Sequence, residues 1–407
     1  MNINSVIAKT YIFSNKKLTA VAVLGVLLGM SVYIFMNSLL VGFDKSSNTS
    51  IFRNTSHIRV YKDDEISKVL IKNSNENYLI VNPKVVPNNN TIINPQMIIE
   101  TILKQKEVTV VTPQVNTSVF YNNGKSQISG LSVGIKPDEA NLMYNIKSFM
   151  VEGNFDFLKS DPNGIVIGSG ISEKMNLAIS DNLNLTSSKG VNRTFKVVGI
   201  FKTNNSITDK TKSYINLATS QQLLKEGNSY ITDINVNVSD PEIAEKVAAK
   251  LTQLTGYKAE GWKEANATIM ATNKMRKMII SFVSITILLV AGFGIYNILN
   301  MTVSQKINDI AILKAMGFKG KDVIRIFVTQ AISVGIMGVV GGVIIAAILI
   351  MFLKKVYLGG DIGYFPIDYE PEKFIQGVLI GLVITFFAGY IPAKKAANVD
   401  PVEILRK

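Results

Sequence analysis

In residues 278–325, MIISFVSITILLVAGFGIYNILNMTVSQKINDIAILKAMGFKGKDVIR, a charge-free run gives way at once to a lysine-rich corner. Crossing a bilayer takes about 20 apolar residues at a rise of 1.5 Å each. Only a self-bonded helix or a closed barrel satisfies its backbone there. Met278 to Gln305 meets that demand, as do the charge-free runs Leu18–Phe43, Ile326–Leu353 and Phe374–Ala393. The sequence therefore predicts four transmembrane helices. Lys16 and Lys17 give the first run the look of a signal peptide. It is too long for one, however, and no Ala-x-Ala-like site follows Phe43, so it reads as an uncleaved anchor.

Cations orient the spans. Lys9, Lys16 and Lys17 precede the first; Lys306, Lys314, Lys319, Lys321 and Arg325 lie between the second and third; Lys394, Lys395, Arg406 and Lys407 follow the fourth. Four spans place all three groups on one side, which is then cytoplasmic, with both termini inside. The opposite short loop carries Asp361, Asp368, Glu370 and Glu372, and these acids compensate Lys354 and Lys355 there. These readings divide the chain into a cytoplasmic segment 1–17, a span 18–43, an extracytoplasmic domain 44–277, a span 278–303, a cytoplasmic helix and loop 304–322, a span 323–353, an extracytoplasmic loop 354–373, a span 374–393 and a cytoplasmic tail 394–407.

Composition agrees. Over 407 residues the mean hydropathy is +0.25 while 18% of residues are charged, as for a polar domain joined to apolar segments. The net charge of +13 sits largely where membrane orientation needs it, so no nucleic-acid partner is expected. Without cysteine there is no disulfide, thiolate metal site or cysteine nucleophile, and no lipid anchor on a cysteine. A single histidine, His57, rules out His-pair metal sites and disfavours a Ser–His–Asp triad. No cofactor, metal ligand or catalytic residue is predicted.

The outer region reads as an α/β domain. Ile58–Tyr61, Tyr78–Val81, Val108–Val111, Gly164–Ile167, Thr194–Ile200, Tyr214–Leu217 and Ile234–Val238 are strand-like, with helices at Thr219–Lys225 and from Asp240-Pro241 through Ile243, Val247 and Leu251. Pro87–Asn90 is a polar loop, and Asp63, Asp64 and Glu65 form a solvated turn. Gly124-Lys125-Ser126 looks like the end of a P-loop, but Val119 stands where its first glycine belongs; a hairpin turn at Asn122-Asn123-Gly124 is the better account. Gly168-Ser169-Gly170 is read as a strand-to-helix turn, and His57 as a surface or packing residue.

The corner itself predicts a short amphipathic helix through Ile307, Ile310 and Leu313, closed by Gly317 in a left-handed conformation. Lys319-Gly320-Lys321 then breaks the chain and Asp322 caps the next helix. Such a helix either rests on lipid or docks a cytoplasmic protein. Within the spans Asn37, Asn297, Asn300, Thr329 and Gln330 are candidates for bonds between helices. No deep acid or base indicates a proton or ion path. Gly335, Gly338, Gly341 and Gly342 form a small-residue face for another helix, in this chain or a second subunit.

Asn308-Asp309-Ile310-Ala311-Ile312-Leu313-Lys314-Ala315-Met316-Gly317 resembles the signature of FtsX-like ABC transporter permeases, as do Val323-Ile324-Arg325-Ile326-Phe327, Gln330 and the glycine-rich helix that follows. The tail Ile391-Pro392-Ala393-Lys394-Lys395-Ala396-Ala397, ending in Asp400-Pro401-Val402-Glu403-Ile404-Leu405-Arg406, is similar too. Asn163–Gly168, Phe195–Phe201 and Trp262–Asn266 resemble the MacB-like periplasmic core domain. The resemblance covers nearly the whole chain, with an FtsX-like permease domain at 278–400. Within the superfamily, Asp309–Lys314 and Leu24–Phe43 resemble lipoprotein-releasing permeases of the LolC/LolE type, although Val41 stands where those usually have Asn.

The resemblance implies a non-catalytic inner-membrane subunit that passes ATP-driven motion from a separate cytoplasmic ATPase dimer to its periplasmic domain. Asp309, Ile310, Ala311, Leu313, Lys314, Met316 and Gly317 would couple to that ATPase. Implied partners are a second permease subunit in a homo- or heterodimer, and a lipoprotein substrate with its periplasmic carrier. The alternatives are a MacB/DevC-like export permease working with a periplasmic adaptor, and an FtsX-like regulator of a cell-wall hydrolase. Nothing in the sequence locates the substrate-binding residues.

Overall fold

The computed structural model of the chain describes residues 3–63, 65–66, 85–86, 91–359 and 363–405. The expected strand Tyr78–Val81, the loop Pro87–Asn90 and residues Asp64, Asp361, Arg406 and Lys407 lie outside the described residues. The chain divides into two compact units: Met1–Ser46 with Ala271–Lys407, and Ser47–Met270.

Helices α1 (Ile3–Ser14) and α2 (Lys16–Asn54) open the chain. The outer unit follows with β1 (Ile58–Tyr61), α3 (Pro95–Leu103), β2 (Val108–Asn123), β3 (Ser126–Ile135), α4 (Pro137–Tyr144), β4 (Met150–Gly153), β5 (Gly164–Gly168) and α5 (Ser169–Met175). It continues with β6 (Asn182–Ser187), β7 (Asn192–Phe201), β8 (Lys212–Asn216), α6 (Leu217–Leu223), β9 (Asp233–Val238), α7 (Ala244–Thr255) and β10 (Lys258–Gly261). The chain then runs through α8 (Ala267–Gln305), α9 (Ile307–Ala315), α10 (Gly320–Leu353), α11 (Pro371–Ala397) and α12 (Pro401–Leu405).

Among the described residues four helices are long and apolar enough to cross a membrane: α2, α8, α10 and α11. They contain the four charge-free runs and extend beyond them. The 39 residues of α2 cover about 58 Å, against about 30 Å of hydrocarbon. The small-residue face of α10 is filled from within the chain. A Cβ on Gly335 would lie 2.3 Å from Thr385 of α11, and on Gly338 and Gly342 it would lie 2.5 and 2.7 Å from Val26 and Met30 of α2. Gly341 meets Leu27 in the same way, at 2.9 Å. These glycines therefore pack against another helix as expected, and the helices they meet are spans of this chain.

Of the residues expected to bond between helices, Asn37 bonds locally instead. Asn37 Nδ2 donates to the Tyr33 carbonyl of its own helix at 2.9 Å, and Asn297 is exposed. The carbonyl one turn back is always within reach of a short polar side chain, so it wins over a distant partner. Gln330 is buried with its Oε1 unpartnered. Beyond α10, Asp368 accepts from Lys354 Nζ at 2.8 Å and Lys45 Nζ at 2.6 Å. This shared carboxylate accounts for a lysine on the acid-rich side.

In the outer unit ten strands form one sheet in the order β10-β1-β9-β2-β3-β8-β5-β7-β4, with β6 beside β2 and β7. Ile58, Val60, Ile234 and Val236 pack with Val247 and Leu251 of α7 on one face. Val133, Tyr144, Phe155 and Tyr214 form a core on the other side of the strands. Asn123 pairs with Ser126, leaving Gly124-Lys125 as a two-residue hairpin loop with Gly124 at φ 59°. The P-loop likeness is thus a turn.

Several boundaries move. β2 continues past Val111 and through Pro113 to the hairpin. Strand β8 ends at Asn216, not Leu217, because the Asn216 side chain accepts the Ala218 N–H at 3.0 Å and starts α6 there, which then stops at Leu223. Gly168 and Gly170 permit close chain approach, since a Cβ on either would strike Asp209 or Lys210. His57 Nδ1 lies 3.1 Å from the Val238 carbonyl and its ring meets the edge of Phe52. Burial lowers its pKa, and it is a packing residue.

Candidate functional site

The corner between α8 and α10 starts from sequence-local rules. Lys306 and Asp309 pair at 3.0 Å one turn apart, so the acid sits in the first turn of α9, where the helix dipole favours it. At the other end Gly317 adopts φ 101°, the Gly317 N–H bonds the Lys314 carbonyl, and the Phe318 N–H bonds the Leu313 carbonyl. This is a Schellman closure, and it needs glycine at that position. The following helix begins at Gly320, inside the expected basic break. Asp322 caps it by reaching back, its Oδ2 accepting the Lys319 N–H at 3.1 Å, so it stands in the first turn and not before it.

The seven expected coupling residues separate by environment. Ile310 and Ala311 are buried, and Ile310 packs with Val303, Val323, Ile326 and Phe327 beneath the corner. Leu313 is half-buried, and so is Asp309, held to Lys306. Lys314 Nζ donates to the carbonyls of Ala397 and Val399 at 2.9 and 2.6 Å, where α11 ends. The negative end of that helix dipole suits an ammonium. Met316 and Gly317 are exposed. They share the open surface with Asn308, Ile312 and Ala315, which the sequence reading did not select, and with Lys319. Ile312 and Met316 are 49% and 66% exposed, one turn apart. The stripe Ile307, Ile310 and Leu313 therefore anchors the helix, while the alternate face is free.

A second element was missed: the N-terminal segment is a helix that packs on the corner. Ala8 and Tyr11 of α1 are buried against Phe327, Val323 and Ile310, and Asn4 Nδ2 donates to Asp322 Oδ1 at 3.3 Å. Lys306 Nζ lies 5.5 Å from the Tyr11 ring centroid. Asn4, Ala8 and Tyr11 fall at i, i+4 and i+7, a helical spacing present in the sequence. Among the described residues no group of three His, Cys, Asp or Glu side chains is placed to hold a metal ion.

Comparison with known proteins places this corner in a family. A model described as FtsX-like permease C-terminal matches residues 281–401, and one described as MacB-like periplasmic core domain matches residues 19–254. The chain is 28% identical over 391 residues to the lipoprotein-releasing system transmembrane protein LolC of Buchnera aphidicola, covering 92% of this chain and 89% of that one. It is 22% identical over 412 residues to the lipoprotein-releasing system transmembrane protein LolE of Haemophilus influenzae, covering 94% and 92%. It is also 23% identical over 426 residues to the macrolide export ATP-binding/permease protein MacB of Psychrobacter cryohalolentis, covering 97% of this chain and 58% of that one. With the MacB-like core domain taking in more than half its residues and the permease match its C-terminal part, the chain belongs to the FtsX-like/MacB-type superfamily of ABC transporter permeases.

Proposed function

We propose that this chain is the membrane subunit of a transporter that releases lipoproteins from the cytoplasmic membrane, driven by a separate cytoplasmic ATPase. The observation that carries the coupling role is the free face of α9, where Asn308, Ile312 and Ala315 are exposed on a helix whose other side is buried, with Met316 and Lys319 exposed just beyond its end. Such a helix gives a partner an apolar anchor with a cationic rim, while its buried side delivers displacement to α1, α8 and α10. The ATPase is separate in this reading. The MacB relative is named for both ATP binding and permease, and the chain matches only 58% of it. Lipoprotein as substrate follows from similarity along nearly the full length of LolC and LolE. The termini and the corner are cytoplasmic and the outer unit periplasmic; a second permease subunit and a periplasmic carrier complete the assembly.

Depletion followed by membrane fractionation tests the reading. Lipoproteins should accumulate in the cytoplasmic membrane. Normal lipoprotein distribution with lost efflux of small molecules would instead favour the export reading, in which a periplasmic adaptor replaces the carrier; the 97% coverage by MacB supports that alternative. Topology is tested with Met316→Cys, a lone thiol in a chain without cysteine. Its labelling by an impermeant reagent in intact cells would refute a cytoplasmic corner.

A further inference from the structure

In the outer unit, β9 alternates Asp233, Asn235 and Asn237 with Ile234, Val236 and Val238. Alternation of this kind ordinarily turns the polar side to water. Here the polar side is also covered: Asp233 and Asn235 are 1% and 3% exposed, and Asn237 Nδ2 donates to the Met143 carbonyl of α4. A buried polar face is unfavourable unless its atoms find partners. Asp233 is satisfied by Arg59 Nε and, at 2.6 Å each, by Asn116 Nδ2 and Thr232 Oγ1. The rest is incomplete. Asn235 uses one end of its carboxamide on Ser56 Oγ at 2.8 Å and leaves the other end buried and unpartnered, and Asn116 Oδ1 is buried and unpartnered as well. Both residues line a cavity of about 300 Å³.

The walls narrow the chemistry. Lys212 lines the cavity with its Nζ 4.9 Å from the Tyr214 ring centroid, and among the described residues it has no carboxylate within ion-pair distance. Arg59 is already paired with Asp233, which leaves Lys212 and Glu260, among the described residues, as the wall charges without an ion pair. One cation facing one carboxylate accommodates a single negative charge at Lys212, so a monoanion fits better than a phosphate, whose second charge Glu260 would repel. Trp262 also lines the cavity, but its ring is 2% exposed and its Nε1 donates to the Pro241 carbonyl at 2.8 Å, so it offers no open face for a sugar.

We propose that this cavity binds a short peptide through its free carboxylate, with Lys212 on the carboxylate and Asn116 and Asn235 on a peptide group. The peptide is either free or the C-terminus of a protein. The site does not depend on the transport role proposed above.

Trp262 is the sole tryptophan and supplies the readout. The full chain in lipid nanodiscs is titrated with tri-alanine, tri-alanine amide, maltose and inorganic phosphate while tryptophan emission is followed. Tri-alanine should give a saturable change, and the amide should bind about tenfold more weakly, the size expected for losing a charge-assisted hydrogen bond. In Lys212→Met the acid and amide should bind alike; Lys212→Arg should restore the preference. Tri-alanine extended at its N-terminus separates the sources: equal binding admits a protein C-terminus, and loss of binding restricts the site to free peptides. Equal binding of acid and amide by the wild type overturns the proposal, as does saturation by maltose or phosphate alone. No response to any probe identifies a water-filled cavity and overturns it too.

Discussion

Replacing Lys314 by Met tests whether the corner is moored to the C-terminal segment. The wild-type ammonium makes two short bonds to carbonyls at the end of α11, at 2.9 and 2.6 Å. Bonds to a charged group contribute about 1.5–3 kcal/mol each when shielded, and Lys314 is half-buried, so about 2 kcal/mol for the pair is a fair magnitude. Methionine keeps the length and apolar stem but donates nothing. If residues 398–405 are held by this mooring, 2 kcal/mol corresponds to about 30-fold more frequent opening. Hydrogen exchange on the protein in nanodiscs should show amide protection there falling by about that factor, with the spans unchanged. Unaltered protection in the tail of the variant would refute the mooring, and loss throughout the bundle would show that Lys314 supports the whole unit instead.

Further expectations follow from the same geometry. Met316→Asp places a charge on the free apolar face of α9 and should weaken association with the ATPase at least tenfold in a pull-down while leaving membrane insertion intact. Asp309→Asn and Gly317→Ala should separate ATP hydrolysis from transport in a reconstituted complex; the alanine must adopt φ 101°, at a cost of about 1–2 kcal/mol. Gly342→Leu should lower the thermal midpoint in detergent by driving α10 off Met30, an overpacking cost of about 1–3 kcal/mol. Hydrogen bonds from Lys354 and then Lys45 hold the Asp368 carboxyl well below the usual carboxylate range. A depressed folded-state pKa stabilises above the unfolded value of about 3.9, and that stability is lost as pH falls through the folded one. Asp368→Asn should therefore be about 1 kcal/mol less stable than wild type at neutral pH, because both lysines are more than half exposed, and the gap should begin to narrow below about pH 4 and go on narrowing as pH falls further. A gap that does not narrow at all between about pH 5 and about pH 2 would contradict this assignment.

Legibility in the sequence tracked the strength of each physical constraint. A bilayer forbids charge over about 20 residues, so the four spans stand out by their lack of it. Gly317 could be read because a helix closure with positive φ favours glycine. By contrast, α9 has apolar residues on both sides, and periodicity alone does not say that Ile310 turns inward while Ile312 turns out. Lys314 reads as a surface cation until the end of α11, more than 80 positions later, is brought to it. The same holds for β9: its alternation predicts a strand, but only tertiary structure shows that helix α4 covers the polar side.

The close glycine contacts carry a mechanical consequence. Besides those from α10 to α2 and α11, a Cβ on Gly29 would lie 2.7 Å from Ala291, and one on Gly292 2.7 Å from Ile384, so α8 is keyed to α2 and α11 as well. Helices meshed this closely resist sliding past one another, because a small axial shift drives side chains into backbone. A stroke applied at α9 is therefore best accommodated by tilting the four-helix block as a solid body.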